Sequence, residues 1–415
     1  MMKNNAFIES QKQFDWAAKQ LNLDKKLRTS LRYPQNFIQK RLIIRGDDGR
    51  IKTFTAFRSQ YNNALGPFKG GLRFHPEETA DTVRALSAWM TWKCSLTGLP
   101  LGGGKGGVVC NPKKLSEKEL EKISKAYAKK FAKHFGPWTD IPAPDVYTNS
   151  QTMAWMLEAY EQSVGISAPG TFTGKPVELG GHEGRTEATG LGVVITTREA
   201  MKHVGMNPKK STAIIQGFGN VGQYAAKHFE KLGLKIIGYS DSSGAIFNKN
   251  GIKFEDALKF KIKNKSLRKF PKAEAMSNEQ LLEQNCDIFI PAALENVITE
   301  KNADKIKAKI IAEGANGPTT VKADEILYNN SIFVIPDLLC NAGGVVGSYF
   351  EWVQNNSGEN WTLKKYNDEL DKVLTNAFQT VVKTYETEKH INMRQAAYLV
   401  AVKRVADAMK LRGRV

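Results

Sequence analysis

Three lysines and one aspartate in the first half of the chain carry side chains suited to chemistry on a small anionic substrate. Lys69 stands beside paired glycines, Lys93 falls on an apolar helical stripe, and Lys105 lies within the glycine-rich segment 101–107. Asp145 follows in a loop stiffened by prolines. If the amines converge, like-charge repulsion and burial lower the pKa of one of them. An amine with a pKa near neutrality is suited to general acid–base catalysis.

The segment 217–222 has the G-x-G-x-x-G spacing of a dinucleotide-binding turn. A strand-like run, residues 212–216, precedes it, and an amphipathic helical pattern follows it. The three glycines permit a tight bend, a close approach of pyrophosphate to the backbone, and close packing of the helix on the strand. The helix N-terminus adds free N–H groups and a favourable dipole for phosphate. The cofactor contacts predicted in this segment are Gly217, Phe218, Gly219, Asn220, Val221 and Gly222.

The cofactor preference depends on Asp241, the acid that ends the next strand-like run. Such an acid is expected to hydrogen-bond the adenosine ribose and to repel a 2′-phosphate, which favours NAD over NADP. Ser242 and Ser243 follow it, and downstream come Lys259, Lys261, Lys263 and Lys265. These lysines hold a 2′-phosphate only if they fold back, and a solvated basic helix is the simpler interpretation. The sequence therefore favours NAD slightly and leaves NADP open.

Helical and strand-like patterns alternate along the chain, which predicts an α/β fold, and the length favours two domains. We place an N-terminal α/β substrate-binding and oligomerisation domain at residues 1–183. A Rossmann-type dinucleotide-binding domain is expected at residues 184–343. A C-terminal helical segment, residues 344–415, is expected to pack back on the first domain.

Three helical patterns position these residues. A capping box at residues 116–119 predicts the start of one helix. Residues 79–94 predict another, with Leu86, Trp89, Met90 and Lys93 on one stripe, where the tryptophan and methionine are expected in the core. Lys93 on that stripe either extends its ammonium to solvent or faces an anionic ligand. Residues 391–409 predict a long helix with an apolar face.

The net charge of +18 is unusual, whereas the hydrophobic content of 41% is ordinary for a globular protein. No segment interleaves aromatic residues with arginines as nucleic-acid modules do, so we expect a lysine-rich solvated face and no nucleic-acid partner. No apolar run is long enough to span a bilayer, and residues 1–21 lack a secretory signal, so we expect no membrane partner and a cytoplasmic location. The four cysteines lack metal-site spacing and are expected to be reduced and mostly buried, and no metal is predicted.

Six motifs together are highly specific, and the chain resembles the glutamate dehydrogenases of the glutamate/leucine/phenylalanine/valine dehydrogenase family over nearly its whole length. The motifs are Pro67–His75, Met90–Gly107, Ile141–Val146, Gly217–Gly222, Ala312–Thr320 and Asn341–Trp352. The resemblance implies that Lys69 and Ser348 bind the distal carboxylate of glutamate and that Lys93 binds its α-carboxylate. Gly70, Met90 and Val345 are assigned to the same substrate pocket.

The resemblance also assigns the chemistry and the cofactor contacts. Lys105 is expected to polarise the substrate carbonyl and activate water, and Asp145 to carry protons to and from the substrate nitrogen. Arg185, Thr189 and Asn220 match residues that line the cofactor site, Asn316 and Asn341 match residues near the nicotinamide, and Asp241 and Ser242 are assigned to the ribose end.

The implied reaction is the reversible NAD- or NADP-dependent oxidative deamination of L-glutamate to 2-oxoglutarate and ammonium, in a homohexamer. Two departures from the family pattern are Gly347, where a bulkier residue is common, and the pair His182–Glu183. Three alternatives stay open: a dehydrogenase for another amino acid, a non-catalytic regulatory paralogue, and a basic nucleic-acid-binding module on a Rossmann scaffold. The presence of Lys105 and Asp145 argues against the regulatory paralogue.

Overall fold

The computed structural model describes residues 5–414, and the chain forms two compact units. The first comprises Met1–Arg185, Val345–Tyr366 and Tyr398–Val415, and the second comprises Thr186–Gly344 and Asn367–Ala397. The predicted α/β fold with two domains is confirmed. The C-terminal segment 344–415 is divided between the units, and its last helix ends in the first. The exact domain boundaries stay a prediction.

The first unit is built on a five-stranded mixed sheet in the order β1-β2-β4-β3-β5. Its strands are β1 (Asn36–Arg45), β2 (Ile51–Asn62), β3 (Phe68–His75), β4 (Gly103–Val109) and β5 (Asp140–Pro144). Its helices up to residue 164 are α1 (Ala6–Gln20), α2 (Lys25–Leu31), α3 (Ala80–Leu96), α4 (Glu117–Phe131) and α5 (Ser150–Val164). Strand β3 pairs in parallel with β4 and β5, so the strands that carry Lys69 and Lys105 are neighbours.

The two faces of this sheet have different environments. Leu72 and Phe74 of β3 join side chains of α4 and α5 in a buried core. Because side chains alternate along a strand, Lys69 lies on the opposite face. Helix α3 packs against β2 on that face, where Ser87 hydrogen-bonds Ser59 at 2.8 Å. The fold therefore gathers lysines on the face that α3 covers.

Helix α4 begins at the predicted capping box, in which Ser116 and Glu119 satisfy each other's backbone N–H groups. Helix α3 is also confirmed, but its buried side differs from the predicted stripe. Leu86, Trp89, Met90 and Lys93 are all partly exposed, whereas the buried positions include Val83, Ala88 and Trp92. The expectation that Trp89 and Met90 lie in the core is therefore wrong, because the neighbouring stripe makes the contacts with the sheet.

The second unit contains a seven-stranded sheet in the order β12-β11-β10-β6-β7-β8-β9. Its strands are β6 (Thr212–Gln216), β7 (Lys235–Asp241), β8 (Gly244–Phe247), β9 (Glu274–Met276), β10 (Ile288–Pro291), β11 (Ile310–Ala312) and β12 (Phe333–Ile335). Its helices up to residue 340 are α6 (Ala188–His203), α7 (Asn220–Leu232), α8 (Phe254–Asn264), α9 (Asn278–Leu282), α10 (Val321–Asn329) and α11 (Asp337–Cys340). Five strands are parallel, and β8 and β9 continue the sheet antiparallel. The order reverses at β6, which is where doubly wound sheets bind nucleotides.

Three helices complete the chain: α12 (Gly343–Ser357), α13 (Leu363–Thr387) and α14 (Met393–Leu411). Helix α14 begins in the second unit and ends in the first. All four cysteines are buried. Within residues 5–414, no helix combines the length and apolarity needed to cross a membrane.

Candidate active site

Lys105 and Asp145 form an ion pair through Nζ and Oδ2. Strand β4 carries the lysine, whose side chain is 5% exposed, and the aspartate follows β5 directly. Burial lowers the pKa of Lys105, and the Asp145 carboxylate offsets only part of that effect. Burial opposes ionisation of Asp145, but Lys105 and Arg73 outweigh it and hold its pKa well below the ordinary value. The pair joins an amine whose pKa is lowered to a carboxylate that stays charged.

The loop that carries Asp145 is fixed by its own hydrogen bonds. Thr148 Oγ1 accepts from the backbone N–H of Asp145 at 2.7 Å, and Asp145 Oδ1 accepts from the N–H of Val146 at 2.9 Å. Beneath it, a Cβ on Gly71 would come within 2.8 Å of the aspartate side chain. Glycine at this position of β3 therefore leaves the space that the carboxylate occupies.

Two further charged residues at this pair were not assigned from the sequence. Arg73 Nε donates to Asp145 Oδ1 at 3.2 Å and lies 3.8 Å from Glu78 Oε2. Burial raises the pKa of Glu78. Arg73 could have been found from strand alternation, because it lies four residues after Lys69 on the same side of β3.

Lys69 is a buried ammonium group with little compensation. Its side chain lies within the first unit at 1% exposure, and Nζ donates to the carbonyl oxygen of Ile141 at 3.3 Å. Burial lowers the pKa of Lys69 to about 7, and the positive charge of Arg185 adds to the effect. The lowered lysine pKa expected from the sequence is thus present at Lys69 as well as at Lys105. The charged form of such a lysine is stabilised when an anion binds beside it.

Arg185 lies next to the residues assigned to the distal carboxylate. Its Nε donates to Ser348 Oγ at 3.1 Å, and Ser348 is buried on α12. The sequence assigned Arg185 to the cofactor, whereas this contact places a second cation with Lys69 and Ser348. Val345 lies almost one turn earlier on the same helix and is 9% exposed.

Helix α12 is held by a buried ion pair one turn after Ser348. Lys175 Nζ donates to Glu351 Oε1 at 2.8 Å, and both side chains are fully buried. Glu351 Oε2 also accepts from the N–H of Gly174 at 2.7 Å. Nearby, His182 stacks on Tyr366 with ring centroids 4.2 Å apart and accepts from the N–H of Gly184 through Nδ1 at 3.0 Å. His182 is therefore a packed, hydrogen-bonded residue.

The glycine turn of the second unit has the geometry that a pyrophosphate requires. Gly217 has φ of 101°, which favours glycine, and a Cβ on Gly222 would lie 1.9 Å from the Gly217 carbonyl oxygen. At Gly219, which precedes the first turn of α7, a Cβ would meet nothing within 4 Å. The space above Gly219 and the N–H groups of α7 therefore fit a dinucleotide phosphate.

Two asparagines assigned to the nicotinamide end are brought together. Asn341 Nδ2 donates to Asn316 Oδ1 at 2.9 Å and to the carbonyl oxygen of Ala315 at 3.0 Å. Thr189 lies on the first turn of α6, and Asn220 Nδ2 reaches the carbonyl oxygen of Thr186 at 3.4 Å. The substrate assignments lie in the first unit and the cofactor assignments in the second, except for Arg185, which belongs to the first.

At the ribose end, Asp241 is paired with a lysine. Lys261 of α8 donates to Asp241 Oδ2, so one of the four downstream lysines does fold back. Lys259, Lys263 and Lys265 are exposed, as the basic-helix interpretation expects. Ser242 is exposed in the turn between β7 and β8.

A parallel nucleotide-binding sheet in one unit and a buried lysine–aspartate pair in the other define a two-domain, dinucleotide-dependent dehydrogenase. The chain belongs to the glutamate/leucine/phenylalanine/valine dehydrogenase family, whose model matches residues 180–413. The dimerisation domain of the same family matches residues 34–162. The resemblance predicted from the motifs is confirmed.

Relatives that carry the name glutamate dehydrogenase match along the whole chain. A glutamate dehydrogenase of Thermotoga maritima is 47% identical over 414 residues, which cover 100% of this chain and 99% of the relative. An NAD-specific glutamate dehydrogenase of Staphylococcus aureus is 45% identical over 99% of both chains. The crystal structure of a glutamate dehydrogenase from Peptoniphilus asaccharolyticus matches with a TM-score of 0.89 and 40% identity, covering 99% of this chain and 100% of that one. A hetero-hexameric glutamate dehydrogenase from Thermus thermophilus in its Leu-bound form matches with a TM-score of 0.92 and 29% identity, covering 100% and 98%.

Proposed function

We propose that the chain is a glutamate dehydrogenase that converts L-glutamate, water and NAD⁺ or NADP⁺ into 2-oxoglutarate, ammonium and the reduced cofactor, reversibly. The observation that carries the proposal is the buried Lys105–Asp145 pair on the same sheet face as Lys69. The whole-length similarity to glutamate dehydrogenases supports the same reaction.

The substrate site is proposed from its charges. Lys69, Arg185 and Ser348 bind the distal carboxylate, and Lys93 on α3 binds the α-carboxylate. Gly70, Met90 and Val345 line the same pocket. An apolar side chain in place of the distal carboxylate gives the buried Lys69 no anionic partner, so the charge-assisted hydrogen bonds that stabilise bound glutamate are lost, at a cost of several kcal/mol (about 2–5). This penalty favours glutamate over leucine or phenylalanine.

The proton steps are assigned to Lys105 and Asp145. A bound nicotinamide would supply the acceptor for the hydride that leaves Cα of glutamate. Neutral Lys105 then takes a proton from the water that attacks the iminium carbon, which gives the carbinolamine. Lys105 passes that proton through its partner Asp145 to the carbinolamine nitrogen, ammonia leaves, and Lys105, neutral again, takes the hydroxyl proton as the carbonyl forms. Burial suits Lys105 to accept protons, because it lowers the free-energy cost of holding the side chain as a neutral amine.

The cofactor is proposed to bind the second unit. The turn Gly217–Gly222 holds the pyrophosphate on the N-terminus of α7, and Thr189, Asn220, Asn316 and Asn341 contact the nicotinamide half. Asp241 and Ser242 lie at the adenosine ribose. We also propose a homohexamer and a cytoplasmic location; the hetero-hexameric relative from Thermus thermophilus supports the number of six subunits.

The test is the initial rate of 2-oxoglutarate amination by the purified protein with excess ammonium, measured with NADH and with NADPH. We expect turnover with 2-oxoglutarate and a much lower kcat/KM with the 2-oxo acids of leucine and phenylalanine. A folded protein that binds the cofactor but turns over none of these acids would be a regulatory paralogue. Faster turnover of an apolar acid would assign the enzyme to another amino acid.

A further inference from the structure

Glu78 is a buried carboxyl group that the proposed proton steps do not use. Its side chain is 0% exposed, and it directly precedes Thr79, the N-cap residue of α3. Oε1 accepts from the backbone N–H of Thr79 at 3.3 Å, whereas Oε2 makes no hydrogen bond within residues 5–414. Burying a carboxylate costs free energy unless other charges compensate it. The charged form of Glu78 therefore depends on the cations around it.

The first sheet holds Glu78 on the face that carries Lys105. Arg73 of β3 and Gly107 of β4 are paired in the parallel ladder, and Lys105 and Gly107 lie on the same face because side chains alternate along a strand. A Cβ on Gly107 would come within 2.6 Å of Glu78 Cγ, so glycine at this position leaves the space that the glutamate fills. Glu78 therefore lies over β4, roughly 7 Å along the strand from the position of Lys105.

Arg73 connects Glu78 to the reacting pair. Its Nε lies 3.8 Å from Glu78 Oε2 and donates to Asp145 Oδ1 at 3.2 Å, so two carboxylates share one guanidinium. The charged groups that act on Glu78 are Arg73 of β3, Lys105 of β4 and Asp145 after β5. Helix α3 contributes the apolar Val83 beside the same glycine of β4. Burial opposes ionisation of Glu78, whereas Arg73 and Lys105 favour it.

The charge of Glu78 acts on Lys105 in the opposite direction from the charge of Arg73. Burial lowers the pKa of Lys105, Asp145 raises it, Arg73 lowers it further, and Glu78 raises it. Without the Glu78 charge, the guanidinium of Arg73 has one carboxylate beside it instead of two. Lys105 then loses its proton at a lower pH, because less negative charge stabilises its ammonium form.

We propose that Glu78 is a positioning residue for the reaction: its carboxylate is the second counter-charge of Arg73 and sets the pH at which the Lys105–Asp145 pair takes up and releases its proton. This inference rests on the proposed function, because it concerns the pH dependence of that reaction. In deamination, neutral Lys105 accepts a proton, and in amination its ammonium form returns one. The rates in both directions therefore depend on the same group.

The test is the pH profile of kcat in both directions, measured for the wild-type enzyme and three variants. Saturating substrate keeps Lys69 paired, so kcat reports the reacting groups. Glu78→Gln keeps the side-chain size but removes the charge. We expect the acidic limb of deamination and the alkaline limb of amination both to move to lower pH, by at least about 0.5 unit. Glu78→Asp keeps the charge and should keep both limbs near their wild-type positions, even where kcat falls. Glu77→Gln, at the exposed neighbouring position, should leave the profiles unchanged.

A purely structural role for Glu78 gives a different result, in which Glu78→Gln lowers kcat at every pH and leaves the limbs in place. That result, or an equal shift in Glu77→Gln, overturns the inference. Competitive labelling of Lys105 with acetic anhydride across the pH range, read by peptide mass spectrometry, measures the same shift in the folded proteins without turnover. If the wild-type protein has no turnover, the glutamate dehydrogenase assignment fails and the labelling still decides the role of Glu78. Equal labelling profiles in the wild-type protein and in Glu78→Gln overturn that role.

Discussion

At the scale of single residues, Lys69 is the group whose protonation should follow substrate binding. Its pKa is lowered to about 7 by burial, whereas a bound carboxylate beside it favours the charged amine. At pH 8 the free enzyme therefore holds mostly neutral Lys69, and a dicarboxylate complex holds the ammonium. Below about pH 6 both states carry the proton, so binding takes up a proton only above that range.

We therefore predict that glutarate, a dicarboxylate without the amine, binds at pH 8 with uptake of close to one proton. Calorimetric titrations in two buffers of different ionisation enthalpy measure this number. Lys69→Met removes the titrating amine and should remove the uptake, whereas Lys118→Met, at an exposed site on α4, should leave it intact. Wild-type binding without proton exchange, or uptake that persists in Lys69→Met, would contradict the role of Lys69.

At the scale of elements, local patterns predicted the start of α4, the strand–turn–helix around Gly217 and the last helix, because their determinants lie within a few residues. The sheet order could not be predicted, since β4 lies between β2 and β3 and that pairing depends on distant segments. For the site too, local patterns indicated some residues, whereas contacts between distant segments could not be predicted. Lysine and glycine spacing indicated Lys69 and Lys105, but the Arg185–Ser348 contact joins residues 163 positions apart. Likewise, nothing local to Arg394 indicates that it binds Glu313, Asp324 and Asp337.

Helix α12 provides the prediction at this scale, because the buried Lys175–Glu351 pair fixes the helix that carries Ser348. Glu351→Gln keeps the side-chain volume but leaves the Lys175 ammonium without its counter-charge, and we expect a loss of about 3–5 kcal/mol in the free energy of unfolding. Adding Lys175→Met should restore most of that loss. Asp407→Asn breaks the exposed pair with Lys403 on α14 and should cost under about 1 kcal/mol.

Denaturant unfolding of the four proteins, followed by circular dichroism, measures these differences. Comparable losses in Glu351→Gln and Asp407→Asn would mean that the buried pair does not hold α12. Failure of the double variant to recover would locate the loss in the hydrogen bonds from Gly174 and Lys175 backbone N–H groups rather than in the charge.

At the scale of the whole molecule, the net charge of +18 should act on the reactants rather than on the fold. A strongly positive protein attracts dianions over the range of the Debye length, about 10 Å at 0.1 M salt, and repels small cations. When Lys69 carries its proton, the substrate site has the same sign, because Lys69, Lys105, Arg73 and Arg185 outnumber Asp145 and Glu78. The two substrates of amination, 2-oxoglutarate and ammonium, have opposite charges. The electrostatic field of the protein should therefore change their KM values in opposite directions.

We predict that raising ionic strength from about 20 to 300 mM with sodium chloride raises KM for 2-oxoglutarate and lowers KM for ammonium, each on the order of two- to tenfold. Initial-rate measurements with the other reactants saturating separate the two constants from kcat. Replacing the four exposed lysines of α4, which packs on the opposite face of the sheet from Lys69, with glutamine (Lys118, Lys122, Lys129 and Lys130) should reduce both salt effects together without changing their signs. If both KM values move in the same direction, chloride competes at the site or alters the protein, and the long-range field is not the cause. If neither KM value changes, the charges of the surface lysines are screened by solvent and do not act on the substrates.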